Sequence, residues 1–142
     1  MLKGIPSILS PDLLKVLMEM GHADEIVLAD GNFPSASIAR RLLRSDGNGI
    51  PDLLGSVLGL LPLDTFVERP SAVMSPGEGA GSPPPIWETY REIIETHGEP
   101  GGLEQVERFA FYERARQAYA VVATSETALY ANIILKKGIV KA

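Results

Sequence analysis

The chain contains no cysteine and only two histidines among its 142 residues. Without cysteine it can form neither disulfides nor thiolate sites. Aromatic residues make up only 6% of the sequence. No apolar run approaches the roughly 20 residues of a membrane-spanning helix. The first six residues carry one lysine and no long apolar segment. We therefore expect no signal peptide and a cytoplasmic location.

Positive charge is also scarce. Lysine and arginine total 13 against 18 acidic residues, which gives a formal net charge of −5. This balance argues against nucleic acid and against an anionic membrane as partners. The length is that of one ordinary domain, and no internal repeat is evident. We therefore expect a single domain over residues 1–142.

Helix and strand patterns alternate along the chain. Ser10 is a good N-cap with Pro11 at the first helical position, and residues 25–29 form a short apolar run typical of a buried strand. The other predicted helices lie at 34–43 (in its first part), 51–61, 86–96 and 109–118, and the other predicted strands at 66–67, 72–74, 119–123 and 133–135. This alternation predicts an α/β fold, a three-layer sandwich in which helices flank a mostly parallel or mixed sheet.

Residues 75–85 are rich in glycine, proline and serine. This composition predicts an exposed loop, and the alternative is a linker between two domains. The apolar face of the following helix, formed by Trp87, Tyr90 and Ile94, also allows two interpretations. It packs either on the sheet of its own chain or against a partner subunit.

A histidine and a carboxylate flank the strand at 25–29. His22 follows the first helix and Asp30 follows the strand, which we interpret as an imidazole and a carboxylate at the same edge of the sheet. Histidine is suited to proton transfer near neutral pH. The simpler alternatives are that His22 interacts with the helix C-terminal dipole and that Asp30 caps the next helix or forms an Asx-turn.

Several common chemistries lack their sequence signature. The glycines at 77–81 have neither a lysine nor the strand–helix context of a phosphate-binding loop. The absence of cysteine and the separation of His22 and His97 (97 − 22 = 75 residues) disfavour a zinc site. No Gly-x-Ser-x-Gly nucleophile elbow is present. Acid–base chemistry on a small substrate, with neither metal nor cofactor, is the class that remains.

Five separated segments carry a family likeness. Together they resemble the L-fucose mutarotase and D-ribose pyranase family, in order and with family-like spacing, and the Arg-Phe-Ala-Phe-Tyr-Glu-Arg block is similar to the fucose branch. The likeness fades between about residues 68 and 103, and Gly31 stands where we expect alanine. The segments are Leu9–Leu14, Met20–Ile26, Ala29–Pro34, Arg108–Arg114 and Tyr130–Gly138.

The resemblance implies a cofactor-independent enzyme that interconverts the α and β anomers of a reducing monosaccharide. It implies that His22 is the proton donor and that Asp30, Arg108 and the segment Tyr130-Ala131-Asn132 hold the sugar. We add Tyr112 as a substrate-binding residue because its ring and hydroxyl suit a sugar. The resemblance also implies a homo-oligomer, often a decameric ring, with sites at the junctions of neighbouring subunits.

Other interpretations of the same residues stay open. Arg108 is also placed to pair with Glu107 or Glu113 on the surface. Residues 130–132 are also compatible with an ordinary turn before the last strand. At the level of function, the alternatives are a D-ribose pyranase-type exchange between pyranose and furanose forms, a non-catalytic sugar-binding protein, and a different enzyme such as an aldose isomerase.

Overall fold

The computed structural model describes all residues from Met1 to Ala142. Six strands form one mixed sheet with five helices packed around it, which confirms the predicted α/β fold. The elements in chain order are α1 (Pro11–Glu19), β1 (Glu25–Ala29), α2 (Ser35–Ile38), β2 (Leu42–Ser45), α3 (Ile50–Leu58), β3 (Ser71–Met74), α4 (Pro85–Thr96), β4 (Leu103–Val106), α5 (Arg108–Gln117), β5 (Ala120–Thr124) and β6 (Ile133–Lys136).

The sheet has the strand order β2-β5-β1-β6-β3-β4. β1, β2 and β5 pair in parallel, as do β3 and β4, while β6 runs antiparallel to both β1 and β3. Five strands therefore end at one edge of the sheet, which we call the carboxyl edge. The opposite edge, where the same five strands begin, is called the amino edge.

Two hydrophobic cores cover the two faces of the sheet. Side chains alternate between faces along a strand. Ile26 and Leu28 of β1 belong to a core of 24 buried residues that also takes in α1, α3 and α4. Val27 and Ala29 belong to a core of 11 buried residues shared with α2 and α5. This arrangement gives the three predicted layers.

Most predicted elements are present within a few residues of their expected bounds. Ser10 caps α1, its hydroxyl oxygen accepting the amide of Leu13 at 3.1 Å. One predicted strand is absent, and two observed strands were not predicted. Residues 66–67 form no strand, and Phe66 is instead 71% exposed. The strands that were not predicted are β2 and β4. β2 pairs in parallel with β5 at one side of the sheet, so its strand structure depends on long-range contacts that its own sequence does not indicate.

The apolar face of α4 packs on the sheet of its own chain. Trp87, Tyr90 and Ile94 are almost completely buried in the larger core, so the intrachain interpretation is confirmed. The preceding residues, 75–84, contain neither helix nor strand and connect β3 to α4, as the loop prediction stated. None of the five helices has the length and apolar character needed to cross a bilayer.

Candidate functional site

A cleft of about 330 Å³ opens at the carboxyl edge of the sheet. Its volume falls within the range of small-molecule sites, roughly 300–1,000 Å³. All five residues that we predicted to bind substrate line it, although they are spread over more than 100 positions of the sequence. The lining residues are Asp30, Asn32, Phe33, Met74, Arg108, Tyr112, Leu129, Tyr130 and Asn132.

The topology explains this convergence. β1 ends just before Asp30, and β4 ends just before α5, which begins at Arg108. β6 runs the other way, so the segment 130–132 that precedes it starts at the same edge. Ligand sites of open α/β sheets form where the strands end. The cleft therefore lies where this fold places its loops together.

Asp30 is held by two hydrogen bonds. Its Oδ1 accepts the amide of Asn32 at 2.9 Å, which is the Asx-turn considered from the sequence. Its own amide donates to Oδ1 of Asn132 at 2.7 Å and so joins the loop after β1 to the segment before β6. Burial raises the pKa of the Asp30 carboxyl above its ordinary value, against the lowering effect of hydrogen bonds from the Asn32 and Phe33 amides and the Asn132 side chain. Gly31, which stands where we expected alanine, has no positive φ. Its amide donates to the carbonyl oxygen of Glu126 at 2.9 Å.

Arg108 is directed toward the cleft and not into a surface ion pair. Its Nε donates to the Tyr112 hydroxyl at 3.2 Å, and its guanidinium carbon lies 5.6 Å from the centre of the Tyr112 ring. This hydrogen bond raises the pKa of the Arg108 guanidinium above its ordinary value. Glu107 caps the amides of α5, and Glu113 pairs with Arg116 at 3.3 Å. The predicted alternative of a surface pair with Arg108 is therefore wrong.

The segment Tyr130-Ala131-Asn132 is held by α4. Tyr130 has a φ of +55°, a left-handed conformation that is uncommon for a residue other than glycine. Nε1 of Trp87 donates to the carbonyl of Tyr130 at 2.9 Å, and the Tyr90 hydroxyl donates to the carbonyl of Ala131 at 2.6 Å. Two buried donors on one helix thus fix the backbone that carries the Tyr130 and Asn132 side chains. Neither donor was identified from the sequence.

Tyr90→Phe is expected to lower the free energy of unfolding by about 1–3 kcal/mol, because it leaves the buried carbonyl of Ala131 without a donor. Chemical denaturation monitored by circular dichroism measures this loss. Tyr119→Phe is the matched control, since the Tyr119 hydroxyl donates to the solvent-exposed Glu19 at 2.7 Å. The control should change stability by less than about 0.5 kcal/mol. Equal losses of unfolding free energy in the two variants would show that the buried Tyr90 hydrogen bond stabilises the fold no more than the exposed Tyr119 one.

His22 does not lie at the cleft. It precedes β1, at the amino edge, whereas Asp30 follows β1, at the carboxyl edge. The five residues of β1 span about 16 Å at roughly 3.3 Å per residue, so the two side chains are far out of contact. The prediction that both lie at the same edge is wrong, because a residue before a strand and a residue after it must lie at opposite edges.

His22 is instead paired with an aspartate that sequence reasoning missed. Nε2 of His22 lies 3.0 Å from Oδ1 of Asp64, and the Phe66 ring is centred 5.2 Å from the imidazole. The Phe66 amide, which donates to the same carboxylate, and His22 together hold the pKa of Asp64 below its usual range. No group of three or more acidic or histidine side chains is arranged to hold a metal ion. The only sequence feature that could have pointed to Asp64 is its position directly after the apolar run 60–63.

Comparison with known proteins gives a consistent result over the whole chain. The model of the RbsD / FucU transport protein family matches residues 3–140. The chain is 54% identical to the fucose mutarotase of Homo sapiens, covering 97% of this chain and 94% of that protein. It is 48% identical to the L-fucose mutarotase of Histophilus somni, covering 98% and 97%.

Solved structures agree with this result. A fucose mutarotase from Streptococcus pneumoniae, crystallised in complex with L-fucose, superposes with a TM-score of 0.93 at 57% identity, covering 99% of this chain and 100% of that chain. RbsD of Bacillus subtilis, complexed with D-ribose, superposes with a TM-score of 0.71 at 21% identity, covering 94% and 95%. The second likeness concerns the fold alone.

Proposed function

The chain belongs to the RbsD / FucU transport protein family, and from this premise we propose that it interconverts the α and β anomers of L-fucose. The observation that carries the proposal is the cleft at the carboxyl edge, where five sugar-compatible side chains converge in a chain with full-length likeness to fucose mutarotases. The protein is thus an isomerase that acts on a carbohydrate.

Anomer exchange requires only proton transfers around a breaking and re-forming C–O bond. In the opening step, the bond between C1 and the ring oxygen breaks, the ring oxygen gains a proton, and the anomeric hydroxyl loses its proton to water as C1 becomes an aldehyde. Rotation about C1–C2 presents the other carbonyl face, and the reverse transfers close the ring. An imidazole is suited to giving and retaking such a proton near neutral pH. We assign this role to His22.

The polar groups of the cleft are arranged to hold a polyhydroxylated ring. The Asp30 carboxylate lines the cleft and can accept a sugar hydroxyl. The Oδ1 atom of Asn132 is engaged by Asp30, which leaves the Asn132 side-chain N–H groups as donors. Arg108 offers further donors, and Tyr112 and Tyr130 offer ring faces and hydroxyls. We assign substrate binding to these five residues.

One chain cannot bring His22 to its own cleft, so we infer that a second copy supplies it. Apolar side chains are exposed at both places. Phe66, 71% exposed, lies beside His22, and Leu129, 73% exposed, lines the cleft. An exposed apolar patch commonly marks an interface. A contact between the amino edge of one copy and the carboxyl edge of the next is heterologous, and repetition of such a contact closes a ring when the rotation permits.

The size of the ring follows from the family resemblance, which implies a decamer. A cytoplasmic location stays a prediction from the sequence, based on the lack of a signal-peptide pattern and of a long apolar run. Both belong to the proposal, together with L-fucose as the substrate.

Polarimetry tests the proposed activity. A freshly dissolved single anomer of L-fucose relaxes slowly to its equilibrium optical rotation, and the protein should speed this relaxation without changing the end point. An unchanged rate, with the sugar nevertheless bound in calorimetry, would favour a sugar-binding protein. A shifted end point with formation of ketose would favour an aldose isomerase. Faster exchange of D-ribose between pyranose and furanose forms, with none for L-fucose, would favour a pyranase.

A further inference from the structure

Glu126 joins three segments at the carboxyl edge of the sheet. It follows the end of β5 by two residues and does not itself line the cleft. Its carbonyl oxygen accepts the Gly31 amide at 2.9 Å, in the loop that follows β1 and carries Asp30. Oε2 of its side chain accepts the Ile50 amide at 3.0 Å, at the start of α3. One residue thus connects the loops that follow β1, β2 and β5.

The other carboxylate oxygen of Glu126 holds the segment that leads to the cleft. Oε1 accepts the amides of Thr127 at 2.9 Å and of Ala128 at 3.0 Å. The next two residues, Leu129 and Tyr130, line the cleft. The carboxylate takes part in no ion pair, and a negative charge is favourable at the N-terminus of a helix such as α3. Backbone amides alone therefore hold it in place.

Gly49 leaves room for this carboxylate. It is the N-cap residue of α3 and has no side chain with which to cap the helix, so Glu126 supplies the acceptor from 76 positions away. A Cβ at position 49 would lie 3.1 Å from Oε2 of Glu126, which is closer than an ordinary contact. The φ of Gly49 is −85°, which any residue can adopt. The glycine thus provides space for the carboxylate and is not required by the backbone conformation.

The charge of Glu126 also acts on the cleft. Burial is the largest cause that raises the pKa of the Asp30 carboxyl, and the negative charge of Glu126 adds to this effect. The other titratable groups around the cleft are Arg108 and Tyr112 of α5 and Tyr130 before β6. Removal of the Glu126 charge should therefore lower the pKa of Asp30.

We propose that Glu126 is a positioning residue for sugar binding, which holds the Asp30 loop and the Tyr130 segment at the separation that the sugar ring requires. The proposal rests on the function proposed above. Glu126 contacts neither the sugar nor the reacting atoms, and it neither gains nor loses a proton. Proton transfer is assigned to His22, at the other edge of the sheet, so loss of Glu126 should weaken sugar binding and largely spare the chemical step.

Glu126→Gln is the first test, because it keeps one oxygen as an acceptor and removes the charge. Its side-chain nitrogen cannot accept the Ile50 amide. We expect KM for L-fucose to rise roughly tenfold, as for the loss of about one hydrogen bond, with kcat changed less than about threefold. Saturation-transfer NMR over a range of L-fucose concentrations measures both constants. Glu104→Gln is the matched control, since Glu104 pairs with Arg114 at 3.2 Å, does not line the cleft and should leave KM unchanged.

This split distinguishes positioning from a general effect on the fold. A variant that is only less stable contains fewer folded molecules, which lowers the apparent kcat and leaves KM as it is. The pH profile adds a second readout. Asp30 must be ionised to accept a sugar hydroxyl, so kcat/KM falls as the pH drops through the pKa of Asp30. Because the variant lowers this pKa, the acid limb should move to lower pH in Glu126→Gln.

Gly49→Ala displaces the carboxylate without removing its charge. KM should rise by roughly two- to fivefold, and the acid limb of the pH profile should stay in place. In a Glu126→Ala background the new methyl group has no carboxylate to meet, so Gly49→Ala should there have no effect on KM. Such non-additivity is typical of two residues in contact. This variant also tests the proposal if Glu126→Gln does not fold.

The outcomes separate this proposal from the function itself. A higher KM with a preserved kcat, and an acid limb at lower pH, support it. A folded Glu126→Gln variant with unchanged KM overturns it, as does a loss confined to kcat, or a Gly49→Ala effect that persists in the Glu126→Ala background. If the wild type binds L-fucose without exchanging its anomers, the proposed function fails. The calorimetric Kd of Glu126→Gln then still tests the positioning role, with the same tenfold rise expected.

Discussion

His22→Ala is expected to lower the rate of anomer exchange by about 10²–10⁴-fold and to leave the fold intact. The loss follows because the variant removes the group that we propose as the proton donor to the ring oxygen. The fold should survive because the imidazole is partly exposed and its only hydrogen bond within the chain is to Asp64. Saturation-transfer NMR on equilibrated L-fucose measures the rate, and circular dichroism measures the fold.

His97→Ala is the matched control for this variant. His97 is also exposed, and it lies at the end of α4, where its Nδ1 is 2.8 Å from the Ile93 carbonyl oxygen. Its removal should leave the exchange rate unchanged. An exchange rate in His22→Ala within about threefold of wild type would exclude His22 as the principal proton donor.

Two inactive variants should recover activity when their subunits are mixed. One carries His22→Ala, and the other carries Asp30→Asn with Arg108→Ala in the cleft. If each site joins His22 of one copy to the cleft of another, a fully reassorted equal mixture contains an intact combination at about one junction in four. The mixture should therefore reach about a quarter of wild-type activity, although each variant alone is close to background.

This measurement requires that the subunits be dissociated together in mild denaturant and then reassembled. Mixing without dissociation is the control and should stay at background. If His22 served the cleft of its own chain, no reassorted mixture could contain an intact site. Persistent background activity after verified exchange of subunits would thus rule out the shared site.

Local sequence signals were sufficient for most of the fold. The start of α1 was predictable because Ser10 and Pro11 act on adjacent backbone groups, and β1 because a short apolar run is typical of a buried strand. β2 was missed because an edge strand with exposed leucine and arginine lacks this signal and is stabilised by β5. Phe66 and Val67 were wrongly predicted to form a strand, because we took their apolar side chains as a sign of burial. Both side chains are exposed.

The candidate site was predictable only in part. The five cleft residues were found through family-like segments, and the sheet topology explains why they meet. The relation of His22 to Asp30 was misjudged because the length and direction of β1 were left out of the interpretation. The role of Asp64 could not be found from the sequence, because its partner His22 lies 42 positions earlier. The two segments are brought together by backbone hydrogen bonds to the end of β6. Long-range geometry of this kind has no local signature.

The most direct test of the account is saturation transfer between the two anomers of L-fucose at equilibrium. Irradiation of the α-pyranose H1 signal should attenuate the β-pyranose H1 signal when the wild-type protein is present, and His22→Ala should largely abolish the effect. No ketose signal should appear. Absence of transfer with a folded, assembled wild-type protein, or steady growth of ketose signals, would contradict the assignment of this cleft to anomer exchange.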